Sequence, residues 1–293
     1  MRMLFRLFAP WRDPAGRFSA LKAGALLLCL LPAAVLAQDA LAGTLGGRPI
    51  NEAIHVAGDW TVRFLLLTLA VTPTRAVLDW PRVLLLRRML GVTTALYALL
   101  HLGLYALDQQ WQVGRVVSEI VLRFYLTIGF VALLGLVALA VTSTDGWQKR
   151  LRQRWKRLHK LVFPIAALGL FHYFLQSKAD VTSATFYTGL FVWLLLWRAT
   201  PRRWQARRLV LVLLAVLAAL ATAVIEAAWY GGATQIPALR VLAANLDLGA
   251  WRPAWQVALA GAAALAVALL RRLAGRRRGA PARRMRPAPA NGV

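Results

Sequence analysis

Residues 87–108 read RRMLGVTTALYALLHLGLYALD, and residues 158–178 read LHKLVFPIAALGLFHYFLQSK. Each stretch opens on basic residues and stays apolar for most of its length, with one histidine, His101 or His172, deep in the run. About 20 apolar residues at 1.5 Å each carry a helix across about 30 Å of hydrocarbon. Both stretches therefore read as membrane spans. An imidazole in hydrocarbon is costly and marks a functional site by default.

The composition extends that reading to the whole chain. It is 59% hydrophobic and 16% charged with a mean hydropathy of +0.57, too little charge to clothe a soluble core of this size. Eight stretches qualify as spans: 21–40, 60–78, 89–107, 119–141, 159–176, 184–198, 209–228 and 254–271. Only helices and closed barrels satisfy their backbones in lipid, and the alternating strands of a barrel are absent from the pattern. The expected fold is all-α, a polytopic bundle. Its parts are a basic N-terminus (1–20), six helices over 21–200, two further helices over 201–271, and a basic disordered tail (272–293).

The net charge of +25 does not point to nucleic acid, because the basic residues sit in blocks between apolar runs instead of alternating with stacking aromatics. A cytoplasmic N-terminus puts all but seven of the 36 Lys and Arg on the cytoplasmic side, as the positive-inside rule requires. Both termini are then cytoplasmic, and the tail can touch anionic lipid. Residues 17–37 also resemble a signal peptide ending at Val35-Leu36-Ala37. The length of that run and Pro32 in its middle favour retention. Cys29, the single cysteine, cannot form an intrachain disulfide.

His101 lies 13 residues beyond Arg88, and His172 lies 13 beyond His159, so both should sit about 19.5 Å from the inner boundary. Two imidazoles at one depth on neighbouring helices can clamp a metal, with haem iron the leading candidate. The competing reading is that each hydrogen-bonds a neighbouring helix and binds nothing. His159 sits at the inner mouth among arginines and lysines; Arg87 or Arg88 occupies the level opposite it. Such a cluster suits an anionic group, a haem propionate or a flavin phosphate, or is simply a solvated topogenic block. Pro164 is expected to kink the helix between His159 and His172. His55 reads as an outer-loop residue, and Glu226 as a weak sign of proton handling or a side chain snorkelling to the interface. Gly43–Gly47 and Gly231–Gly232 read as turns. No Walker loop, GxGxxG, HExxH or GxSxG occurs, and no catalytic substrate site is evident.

Five segments in order carry a family resemblance: LKAGALLLCLLP (21–32), IHVAGDWTVRFLLLTLAVTPTR (54–75), residues 87–108, RFYLTIGFVALLGLVALAVTST (123–144), and WQKRLRQRWKRLHKLVFPIAALGLFHYFLQSK (147–178). They resemble the MsrQ family, haem-binding membrane subunits of the periplasmic methionine sulfoxide reductase system within the ferric-reductase-like transmembrane group. The last is the most specific, with its Trp and basic loop, then LH, then HY thirteen residues on. The resemblance covers about residues 20–200 and implies a retained first helix and a six-helix ferric-reductase-like core. It implies haem b held by His101 and His172, with His159, Arg87 and Arg88 in a cytoplasmic cofactor region that uses FMN. Electrons would arrive from a cytosolic flavin reductase or from quinol. They would leave to a periplasmic molybdenum-containing methionine sulfoxide reductase, across a bacterial inner membrane. Residues 204–293 depart from the six-helix pattern and receive no chemical assignment.

Two other classes compete. A self-contained transmembrane metalloreductase predicts a fused cytosolic flavin or nicotinamide domain, for which the tail after residue 271 is too short. A transporter or structural protein predicts no cofactor. A partner would meet loops 42–59, 108–118, 177–184 and 229–253, with nothing to rank them.

Overall fold

A computed structural model describes residues 11–12, 15–177, 180–247 and 249–278. Among these the regular structure is helical, and the one extended contact is an isolated bridge between Arg12 and Phe18. The long helices are α1 (Ala20–Ala42), α2 (Pro49–Leu78), α3 (Arg87–Asp108, entered through a 3₁₀ segment Pro81–Leu86), then α4 (Val113–Leu122) and α5 (Phe124–Val141). Short α6 (Asp145–Leu151) and α7 (Gln153–Leu158) lead through a 3₁₀ turn, His159–Leu161, into α8 (Val162–Gln176). There follow α9 (Thr182–Ala199), α10 (Arg208–Ala233), α11 (Ala238–Ala244) and α12 (Pro253–Arg278).

Seven helices among the described residues are long and apolar enough to cross a membrane, which makes this a multi-pass membrane protein. The stretch expected as the sixth span is a helix, α9, but is not one of the seven. Thr182, Ser183, Thr185, Tyr187, Thr188 and Gly189 dilute its apolar character, and it packs among α2, α8, α10 and α12.

Several expected boundaries shift. Residues 49–59 and 113–118, expected as loops, are helical, so His55 lies on α2. Gly43 and Gly46 do turn the chain at positive φ (69° and 72°), Gly43 closing α1 with its N–H on Ala40 O and Asp39 O. Gly231 and Gly232 instead belong to the last turn of α10. Pro164 does not kink a helix from within; the chain restarts after the 3₁₀ turn, and Pro164 falls in the first turn of α8, where its missing N–H costs nothing. Residues 272–278, expected in the tail, continue α12. Residues 1–10 and 279–293 lie outside the described residues.

Two prolines explain how helices dock. Pro32 opens the ladder of α1, and the Tyr97 hydroxyl of α3 fills the gap: it accepts from Ala33 N and donates to Cys29 O, both 2.9 Å, bridging a broken i to i+4 pair. Pro73 has no N–H for Leu69 O, four residues earlier. Arg198 of α9 donates to that carbonyl at 2.5 Å and to Leu194 O at 3.0 Å.

The core is assembled from α2, α3, α5, α8 and α9. It repeats internally: α2–α3 and α5–α8 are two antiparallel pairs with equivalent buried residues at a constant offset of 71 places (133 − 62, 136 − 65, 166 − 95). Val62, Leu65 and Ala95 in the first pair correspond to Leu133, Leu136 and Ala166 in the second.

Candidate cofactor site

The same offset relates the two histidines and what holds them. His101 of α3 places Nδ1 2.8 Å from Ile54 O on α2; His172 of α8 places Nδ1 2.8 Å from Tyr125 O on α5. A carbonyl only accepts, so each Nδ1 carries the hydrogen and each Nε2 keeps its lone pair for a ligand. Tethering the distal nitrogen to a carbonyl is how proteins orient metal-binding imidazoles.

A ring reaches a helical carbonyl only where the residue one turn on has no side chain in the way. Gly58 follows Ile54 by four and Gly129 follows Tyr125 by four. A Cβ on Gly58 would lie 3.1 Å from His101 Nδ1; on Gly129 it would lie 2.7 Å from His172 Cε1. Both glycines are thus cradles for imidazole.

The two rings are 6.4 Å apart between centroids and cross at 87°. Two metal–imidazole bonds of about 2.0–2.1 Å, plus the radius of a five-membered ring on each side, come to about 6.3 Å. The ring separation thus matches the span of two imidazoles on one ion. They share a cavity of about 360 Å³, walled by Val62, Ala98, Leu102 and Leu133, and this is within the range of ligand pockets. Polar residues, including Asn51, exposed His55 and Gln176, also line it. Among the described residues no group of three or more His, Cys, Asp or Glu is placed to hold a metal.

A polar chain beside the cavity was not anticipated from sequence. Asp59 accepts from the Tyr173 hydroxyl at 2.6 Å and pairs with Arg63 at 3.5 Å, while Arg63 Nε donates to the Tyr187 hydroxyl at 2.7 Å. The signal was available: Asp59 and Arg63, spaced i, i+4, are the charges within an otherwise apolar run.

At the arginine-rich end, His159 stacks on Trp155 with centroids 3.9 Å apart and sets Nε2 3.3 Å from Ser143 Oγ. Arg87 is an electrostatic neighbour of both His159 and Arg198. Arg88 is drawn instead to Asp145 at the start of α6, 2.5 Å away. Of the basic residues flagged in the sequence, Arg87 and His159 interact electrostatically, Arg88 pairs with Asp145, and Arg198 of α9 also feels the charge of Arg87. Glu226 is buried, not snorkelling: Arg252 lies 3.2 Å away and Asn245 Nδ2 donates to it at 2.8 Å.

The fold and the paired imidazoles define a class. The family described as "Ferric reductase like transmembrane component" matches residues 57–170, which contain His101 and both cradle glycines and end two residues before His172. Protein-methionine-sulfoxide reductase heme-binding subunit MsrQ of Xanthomonas oryzae pv. oryzae (strain MAFF 311018) is 40% identical over 196 residues, covering 61% of this chain and 90% of that protein. The subunits of the same name from Xanthomonas campestris pv. campestris (strain B100) and Caulobacter vibrioides are 42% and 40% identical, each with 86% of its length covered, against 60% and 62% of this chain. The chain belongs to the MsrQ family. No solved structure matches it significantly.

Proposed function

We propose that His101 and His172 are the axial ligands of one b-type haem, and that the chain is the electron-transfer subunit of a methionine sulfoxide reductase system. The observation carrying this is the pair of Nδ1-tethered imidazoles 6.4 Å apart in one cavity. The bound haem would supply one-electron redox chemistry, and two protein ligands would leave it six-coordinate and suited to electron transfer over oxygen binding.

The chain's own contribution is orientation. Ile54 O and Tyr125 O fix the tautomer, Gly58 and Gly129 admit the rings, and Val62, Ala98, Leu102 and Leu133 would border the bound group. The arginine blocks support a bacterial inner-membrane orientation with both termini in the cytoplasm and the imidazole pair toward the periplasm. Electrons then enter at the arginine-rich end, from quinol or a cytosolic flavin reductase, and leave to a periplasmic molybdenum-containing reductase that restores oxidised methionines. Arg87, with His159 and Arg198 nearby, suits the phosphate of FMN there; Arg88, held by Asp145, is the weaker candidate.

Absorption spectra of detergent-solubilised wild type, His101→Ala and His172→Ala, oxidised and dithionite-reduced, test the haem. Wild type should give a low-spin bis-histidine spectrum that each substitution abolishes. A colourless wild type, or an intact spectrum in both variants, refutes the assignment. For the second cofactor, Arg87→Ala should release more flavin than Arg88→Ala; equal and complete retention in both rejects the flavin site.

A further inference from the structure

Helix α4, VGRVVSEIVL, joins the end of α3 to the start of α5, so two spans fix its height at the end of the bundle where the cavity opens. Its residues fall into two stripes. Val113, Val117 and Val121 recur every fourth residue and are 69%, 53% and 69% exposed. Arg115, Glu119 and Arg123, just past the helix, recur at the same interval two residues on, about 200° around the axis. All three of the latter line the cavity of the imidazole pair, as does Ile120. The helix therefore turns charge toward the cavity and valine away from it.

The C-terminal end is anchored by side chains. Arg123 pairs with Glu119 and donates to the Tyr125 hydroxyl at 3.0 Å, and Thr127 Oγ1 donates to Ile120 O at 2.6 Å. The chain enters through Gln110 and Trp111 at φ 53° and 57°, a tight reversal that lays α4 off the axis of α3. Trp111, Leu122 and Phe124, at the ends of the helix, are exposed as well, and so are Leu107 on α3 and Val131 and Leu134 on α5, the two spans that α4 joins. Exposed apolar surface on membrane spans suits lipid, and aromatic residues such as Trp111 and Phe124 suit the bilayer interface.

We propose that α4 lies in the membrane surface, its valine stripe seated at the headgroup–acyl boundary, and that it is the cover of the imidazole cavity. Its seat in lipid is independent of what the cavity holds; only its importance for haem retention rests on the function proposed above.

The test uses the full chain carrying Cys29→Ala in phosphatidylcholine–phosphatidylglycerol vesicles, with nitroxide labels placed singly at positions 113, 117, 121, 115 and 119. Labels at 113, 117 and 121 should collide with oxygen in preference to a water-soluble nickel chelate, and those at 115 and 119 should not. If the label at 117 meets the chelate as often as one at Arg48→Cys, beside the α1–α2 turn, the helix stands in water and the proposal fails. A label at 117 shielded from both reagents would mean a protein face and would also overturn it. Val113→Lys/Val117→Lys should then speed haem loss to apomyoglobin about tenfold by lifting the cover. An unchanged rate removes the covering role. A colourless wild type would sink the haem reading while leaving the depth measurement to decide the position of α4.

Discussion

Replacing Gly129 by alanine places a methyl carbon 2.7 Å from His172 Cε1, 2.8 Å from Nδ1 and 3.0 Å from Cγ. Ordinary carbon contacts lie at about 3.5–4.0 Å, so the ring must withdraw by about 0.8 Å or more. Its Nδ1–Tyr125 O bond is 2.8 Å long, and that retreat carries it to the edge of hydrogen-bonding distance, about 3.5 Å. Loss of such a tether typically costs a metal site about 10–100-fold in affinity. At Gly58 the equivalent contacts are 3.1 and 3.2 Å, so a few tenths of an ångström suffice and the loss should be smaller. Gly103 has nothing within 4 Å and is the control, where alanine should stabilise the helix by up to about 1 kcal/mol. The assay is haem titration of the apoprotein in detergent, with reduced-state spectra for each variant. Affinity should fall in the order Gly103→Ala, Gly58→Ala, Gly129→Ala. If Gly129→Ala binds haem as tightly as Gly103→Ala with an identical spectrum, the cradle argument is wrong.

Tyr97→Phe removes the hydroxyl bridging Cys29 O and Ala33 N, leaving two backbone groups unpaired, and should destabilise the protein by about 1–3 kcal/mol in thermal unfolding; an unshifted midpoint would contradict the bridge. Arg198→Ala strips the donor from Leu69 O, which Pro73 cannot serve, and should cost about 1.5–3 kcal/mol by the same measurement. Equal stability of wild type and variant would show that water or another donor serves that carbonyl. Glu226→Ala leaves Arg252 without its buried partner and should lower stability by about 3 kcal/mol, whereas Glu226→Leu/Arg252→Met should recover most of the loss. Equal loss in the single and double variants would mean packing, not charge, dominates there.

Much of this was legible from one dimension. The apolar runs, the arginine blocks and the equal 13-residue spacings to His101 and His172 follow from composition and helical rise alone, so the bundle and the pairing of the histidines needed no coordinates. The MsrQ resemblance was legible in the same segments. Less legible were the turns and helix ends. Residues 49–59 look like a loop because Asn51, Glu52, His55 and Asp59 break the apolar run, yet Pro49 starts a helix there whose polar face meets the cavity. Glu226 read as either a proton-handling or an interfacial side chain because its partners, Asn245 and Arg252, lie 19 and 26 places further on.

The sequence by itself determined that the chain spans a membrane, which end carries the positive charge, and that two imidazoles share a level, because these depend on residue type and spacing along a helix. Only the tertiary structure decided which nitrogen of each histidine is free, since that depends on a carbonyl 47 residues away in both cases. It also decided that Gly58 and Gly129 are cradles, that Arg88 pairs with Asp145, and that Tyr97 and Arg198 repair what two prolines break. Hydrogen bonds and close contacts between helices depend on rotation and tilt, and no periodicity along a single helix encodes those.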